Sequence, residues 1–180
     1  ALVAAFSSIG TLCINLFAQY RSEMRATYRK TLEPFLEPLG KNLYLTMACS
    51  KILSLKNDED GESRGNWRKR ADEARNEIKK LRMNVRYSLW GLDEPLRVLT
   101  RVPNWIEHNK GNRENSDALI LLATNLREAI DDSIRRAYSC GKPIPFWNRW
   151  LLNKKAGKLR NQYECGAPPE FRYTDEVEEG

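Results

Sequence analysis

The sequence predicts an all-α protein: an N-terminal transmembrane, or at least long apolar, helix followed by an antiparallel four- to five-helix bundle. Three observations predict it. Residues 1–20 carry no charged side chain, although 30% of the chain is charged. Apolar side chains then recur at spacings of three and four, the period of a helix with one buried face. Strand signals are nearly absent, with few alternating runs, no Asn-Gly turn, and a single Asp-Gly inside a polar loop.

The first helix takes up the apolar stretch. Residues 1–18, as helix, rise about 27 Å, close to the roughly 30 Å hydrocarbon core of a bilayer. Gln19 and Tyr20 extend the helix into the interface, where a Tyr ring is well accommodated. Arg21, Arg25, Arg29 and Lys30 follow, and the positive-inside tendency then sets the N-terminus outside and the remainder in the cytoplasm. A secretory signal has the reverse order, with basic residues first and a cleavage site last. The expected location is the inner (cytoplasmic) membrane, crossed once. The alternative is a soluble helical scaffold in which this helix is buried. Pro34 and Pro38 are expected to punctuate the helix after about Leu32.

A second helix is expected over about 35–56, with Leu39, Leu43, Met47 and Leu53 on its apolar face. The acidic loop of residues 57–65 follows. The third helix, about 66–90, has an unbroken seam of Trp67, Ala71, Ala74, Ile78, Leu81 and Val85, with Asn66 as its cap. Gly91 ends it. Asp93 and Pro95 open a short helix to about Thr100, and a brief one runs from Asn104 to about Asn109. Ser116 caps a long helix over 117–139, stopped by Gly141 and Pro143. A last helix covers about 146–163. The domain organisation is thus a transmembrane helix at 1–20, a cytoplasmic helical bundle at 21–163, and an acidic disordered tail at 164–180.

Charge divides along the same lines. Residues 21–163 carry 29 Lys and Arg against 18 Asp and Glu, whereas residues 164–180 carry six acids and one Arg. A basic body favours anionic partners: membrane lipids, RNA or a signalling nucleotide. Two arrays could hold them. Arg21, Arg25 and Arg29 step by four just past the apolar stretch, a ridge suited to anionic lipid or to a vestibule beneath a pore. Arg68, Arg75, Lys79, Arg82 and Arg86 share one flank of the third helix, about 90° from its seam. The plainer alternative for this flank is solvation, or neutralisation by the acidic tail.

Within the apolar stretch, Ala4, Ser8, Thr11 and Asn15 recur by fours and threes, and Ala18 and Ser22 continue the row. Small residues on one face let helices approach closely in a bilayer, and an Asn within the span hydrogen-bonds across the contact. A homo-oligomer built through this stripe is expected.

Several classes of chemistry lack their residues. Cys13, Cys49, Cys140 and Cys165 form no CxxC pair, and His108 is the single histidine, so no metal site is expected. Cys13 and Cys49 read as small buried hydrophobes. No glycine-rich phosphate loop accompanies the basic flank, and no nucleophile elbow is present. No cofactor is expected.

His108 closes the segment RVPNWIEH, which starts at Arg101. This resembles the Arg-x4–6-His signature of HEPN domains, small helical bundles that include ribonucleases and nucleotide-linked toxin–antitoxin components. The resemblance implies a site completed across a dimer, with Arg101 stabilising developing phosphorane charge and His108 handling a proton. Val102 stands where that family usually has a polar residue, and Pro103 is expected to keep Arg101 and His108 off a common helix. HEPN-like bundles with a membrane helix also resemble accessory proteins of bacterial antiviral systems.

The leading expectation is a membrane-anchored, oligomeric helical protein without enzymatic activity. Its basic body binds an anionic partner, and its effector form is a pore or a membrane perturbation. The alternatives are a HEPN-like ribonuclease or RNA-binding module using Arg101 and His108, and the soluble scaffold.

Overall fold

The computed structural model describes residues 2–55, 61–84, 91–109 and 112–166, with side chains described at 14–55, 63–83, 91–109 and 112–166. The described residues form five helices in this order: α1 (Leu2–Leu55), α2 (Gly61–Asn84), α3 (Asp93–His108), α4 (Arg113–Cys140) and α5 (Phe146–Gly166). The described residues contain no strand.

The main departure from expectation is α1. It is one helix of 54 residues, about 81 Å long, where two helices were expected. It runs through Pro34 and Pro38 without a break. Both prolines are exposed, four residues apart, on the side opposite buried Leu32, Leu39 and Leu43. The backbone bonds that proline forfeits therefore fall on the solvent side, where water can reach the freed carbonyls. On the inner side Leu32, Leu39, Leu43, Met47 and Leu53 form a continuous buried stripe. Each buried leucine contributes about 1.5–3 kcal/mol, and the row outweighs a local cost of about 3 kcal/mol per proline.

Pro103 gives the same lesson. The two short helices expected around it are one helix, α3, and Pro103 is buried within it. Leu96, Leu99, Val102, Trp105 and Ile106 are buried on either side of Pro103, and α3 packs against all four other helices. It is therefore α3, with the C-terminal half of α1, that occupies the centre of the body.

Smaller corrections concern helix ends. α2 begins at Gly61, inside the segment expected to be loop. α4 begins at Arg113, because the Asn112 side chain accepts the Asn115 amide N–H at 3.0 Å and caps the helix before Ser116. Gly141 ends α4 in the left-handed region, φ 61°, its N–H directed at the Ala137 and Tyr138 carbonyls. Residues 164–166, expected in the tail, complete α5. Residues 167–180 lie outside the described ones.

Side-chain pairs give the helix directions. Arg29 meets the Tyr138 and Ser139 carbonyls, while Leu36 and Leu39 share a cleft with Asp131 and Ile134, so α1 and α4 are antiparallel. Arg82 pairs with Asp93 and Arg64 with Glu107, so α2 and α3 are antiparallel. Lys155 reaches Asn125 and Gln162 reaches Asn115, so α5 runs back along α4. One end of the body thus gathers the C-termini of α2 and α4 and the N-termini of α3 and α5. From that end α1 emerges.

Ile14, Leu16, Phe17, Tyr20 and Met24 are 55–70% exposed on this emerging part. The first buried side chain described on α1 is Leu32. Burial of the first helix inside this chain's own bundle therefore does not hold for residues 14–26. Among the described residues no helix is long and apolar enough to cross a membrane. The side chains of residues 1–13, most of the uncharged stretch, lie outside them.

Candidate anion-binding site

A polar cavity of about 410 Å³ lies between α2 and α3, lined by Asp72, Arg75, Asn76, Lys79, Arg82, Arg97, Thr100 and Arg101, with Ile78 among them. Its charge follows from helical periodicity. Arg75, Lys79 and Arg82 step by four and three and so share a face of α2. Arg97 and Arg101 step by four and share a face of α3. Pairing the two helices antiparallel brings both rows to one groove. Ile78 is fully buried at its floor, with the adjoining cations carried on long stems above it.

Five cationic side chains line the cavity against one carboxylate, Asp72. Asp93 and Glu94 also reach the cations. Asp93 accepts from Arg82 Nε at 2.9 Å, and Glu94 meets Arg97 Nη2 at 2.7 Å while also pairing with Arg160 of α5. Positive charge still exceeds negative among the lining residues and these partners. Asp93 is 72% exposed, so its hold on Arg82 is screened by solvent. Glu94 fixes the Arg97 guanidinium instead of leaving it to wander. The buried Thr100 hydroxyl donates to the Arg97 carbonyl at 2.9 Å, and its oxygen lies at the wall of the cavity. Clustered guanidinium groups of this kind are suited to phosphate oxygens.

The basic flank seen in the sequence is thus divided by the structure. Arg75, Lys79 and Arg82 line the cavity, Arg68 is exposed on the same helix, and Arg86 lies outside the described residues. Arg97, which sequence reasoning missed, completes the row on α3 beside Arg101. The only signal for it was its spacing of four from Arg101.

Arg101 and His108 share α3 and stand two turns apart on one face, about 10.5 Å along the axis. The expected separation at Pro103 does not occur. Their surroundings differ. Arg101 lines the cationic cavity, whereas His108 Nδ1 is 2.9 Å from the Tyr163 hydroxyl of α5. Tyr163 also stacks on Trp105, with ring centroids 4.7 Å apart. Next to this cluster Asn109, Asn115 and Gln162 form a hydrogen-bonded chain that ties the ends of α3, α4 and α5 together. His108 therefore belongs to a structural joint at the far end of the body.

The arginines spaced by four on α1 also divide. Arg29 Nε donates to the Tyr138 carbonyl at 2.9 Å and its Nη2 donates to the Ser139 carbonyl, so it satisfies the C-terminus of α4. A Cβ at Gly141 would approach the Arg25 carbonyl oxygen to 2.9 Å, so Gly141 seats α4 against the α1 backbone. Arg21 lies over the Phe17 ring, 4.5 Å from its centroid. Asn15 is exposed, as are Ala18 and Ser22, while the side chains of Ala4, Ser8 and Thr11 lie outside the described ones.

Cys49 is fully buried, and desolvation pushes its thiol pKa up despite the nearby Arg70, which leaves it inert. Among the described residues no His, Cys, Asp and Glu cluster could hold a metal ion. The chain matches no family model, no curated protein and no solved structure.

Proposed function

We propose that this chain is a membrane-anchored, self-associating helical protein whose body binds a phosphate-bearing anion in the α2/α3 cavity. The observation that carries the anchor is the continuity of α1. A rigid helix leaves the core after Leu32, exposes Ile14, Leu16, Phe17, Tyr20 and Met24, and continues into a stretch without charge. No part of the described chain covers those residues. A bilayer accounts for them, with Arg21 at its cytoplasmic edge and the Ala4/Ser8/Thr11/Asn15 stripe joining copies. A rigid connection from span to body lets ligand binding below bias the packing of spans above, the coupling that a pore or membrane-perturbing effector requires.

Carbonate-resistant pelleting with membranes, followed by mass determination of the detergent-extracted protein, tests the anchor and the oligomer. A monomer that remains in solution without detergent overturns both. For the cavity, fluorescence anisotropy with a labelled oligoribonucleotide and a labelled nucleoside triphosphate gives the ligand class. Arg75→Glu with Arg101→Glu is expected to weaken the bound probe by at least about tenfold and to reduce its salt dependence. Unchanged binding overturns the site.

A second reading, a HEPN-like ribonuclease, draws on the placement of Arg101 and His108 on one face of α3. It requires a partner copy across that face and a His108 released from Tyr163. RNA cleavage by the wild type that His108→Ala abolishes, while Tyr163→Phe retains it, supports this reading over simple binding.

A further inference from the structure

We propose that the first two turns of α5 rest on the lipid headgroup layer, so that the body lies against the bilayer instead of hanging from α1 alone. The inference rests on the anchor reading above and adds a second membrane contact to it.

The starting point is an apolar face with no core to fill. Phe146, Trp147, Trp150 and Leu151 are 63%, 73%, 51% and 48% exposed. By helical phase they share one side of α5, together with Lys154. Leu152, Ala156, Leu159 and Tyr163 are buried on the opposite side. The beginning of α5 is therefore apolar on two faces, and the core accounts for one. The other large exposed apolar residues of the body, Tyr44, Leu55, Met83 and Leu121, are spread over three helices and form no comparable face.

The chemistry of the face is interfacial. Two indoles, each an apolar ring with one N–H donor, suit the boundary between acyl chains and headgroups better than either water or a dry protein contact. The Lys154 ammonium sits 5.1 Å from the centroid of the Trp150 ring, with its apolar stem alongside. Charge points the same way. Between Ser133 and Tyr163 the chain has eight Lys and Arg and no Asp or Glu. Asp132 of α4 shares a cleft with Leu151, but Arg136 and Lys155 line that cleft too. A predominantly basic surround matches an anionic leaflet.

Position in the fold supplies the independent support. Gly141 packs on the α1 backbone at Arg25, and Phe146 follows five residues later, within roughly 18 Å by chain length alone. Along α1, Tyr20 lies about 7.5 Å beyond Arg25 in the direction of the apolar stretch. The aromatic turns of α5 are thus at the end from which α1 leaves, near the level at which the span would meet the headgroups. Had the same four residues been at the far end of α5, beside Tyr163, no bilayer holding α1 could touch them.

The test uses the full-length protein in vesicles of phosphatidylcholine and phosphatidylglycerol carrying brominated acyl chains, which quench tryptophan at short range. Wild-type fluorescence is expected to be quenched. Trp147→Ser with Trp150→Ser is expected to remove most of that quenching while carbonate-resistant pelleting and the circular-dichroism melt stay unchanged. Trp67, Trp90 and Trp105 remain in the variant and set its residual signal. Quenching that is equal in wild type and variant overturns the proposal. So does a fall in oligomer mass for the variant in detergent without any lipid quenching in the wild type, which would give the face to a second copy. The anchor can fail separately. Protein that is quenched by vesicles but released by carbonate sustains the α5 contact and rejects the span. Protein that pellets in carbonate with no Trp147 and Trp150 quenching does the reverse.

Discussion

The two halves of α1 belong to one helix but obey different rules. From Leu32 to Leu53 its buried residues Leu32, Leu39, Leu43, Met47 and Leu53 line one side, and away from them lie Pro34, Glu37, Pro38, Lys41 and the exposed Tyr44. From Ile14 to Met24 the large side chains Ile14, Leu16, Phe17, Tyr20 and Met24 are all exposed, within about 160° of one another around the helix, with Asn15, Ala18 and Ser22 on the other side. The contrast teaches that one helix can carry two apolar sides with different partners. The first side is filled by α2, α3 and α4 of this chain. The second is covered by no described part of the chain and calls for something outside it.

The largest effect that could break this contrast is in stability. Leu43 is 1% exposed within the core cluster. Leu43→Ala is expected to cost about 2–5 kcal/mol, as for other buried leucines. Phe17→Ala, in the emerging half, is expected to stay within about 0.5 kcal/mol. Denaturant melts of the detergent-solubilised protein, following the body, measure both. A comparable loss for Phe17→Ala would mean that the first half of α1 packs on the body.

The joint between the halves comes next. Arg29 is exposed and stands in the basic ridge, yet its guanidinium is committed to the end of α4. Arg29→Gln is expected to lower stability by about 1 kcal/mol, the scale of a cation at a helix C-terminus, and to leave vesicle binding unchanged. A variant that binds anionic vesicles more weakly with an unchanged melt would return Arg29 to the lipid surface and add it to the uncovered half of α1. In the emerging half, Asn15→Leu is expected to loosen the oligomer by on the order of 1 kcal/mol, read as a lower mass on dilution in detergent. An unchanged mass rejects the stripe.

How much of this was legible before the fold was known depends on the distance over which each feature is decided. Of the α2 seam read from spacing, Ala71, Ala74 and Ile78 are buried, Trp67 and Leu81 are half-buried, and Val85 lies outside the described residues; of the apolar positions spaced along α4, Leu119, Leu126, Ile130 and Ile134 are buried and Leu122 is half-buried. Periodicity is local, and packing followed it. Pro34, Pro38 and Pro103 misled for the opposite reason. Proline's cost is local, but the burial that overrides it is tertiary. The cavity was half legible: Arg75, Lys79 and Arg82 lie on one helix, whereas Arg97 and Arg101 join them only through antiparallel pairing of α2 with α3. Arg29 looked like lipid-facing charge because its partners, the Tyr138 and Ser139 carbonyls, are about a hundred residues away in sequence.

The smallest prediction concerns the other wall of the buried half of α1. Leu36, Leu39 and Gly40 face Asp131 of α4 across a cleft of about 490 Å³. Burial raises the Asp131 carboxyl pKa against the pull of Arg127 and Arg135, and Asp132 and Glu128 add to the rise. Arg135 also lines the cleft, and the α1 wall supplies no charge. A carboxyl whose pKa is raised by folding binds its proton more tightly in the folded state. Its contribution to stability therefore falls as pH rises from the unfolded value of about 3.9 through the folded one, and the loss persists at neutral pH. Asp131→Asn keeps the shape and removes the charge, so it is expected to raise Tm slightly at neutral pH and to leave it unchanged below about pH 3, where wild-type Asp131 is protonated in both states. A lower Tm at neutral pH would show that the pull of Arg127 and Arg135 outweighs desolvation. The buried half of α1 would then face a working ion pair in place of a strained carboxylate, and the stripe would owe part of its position to charge.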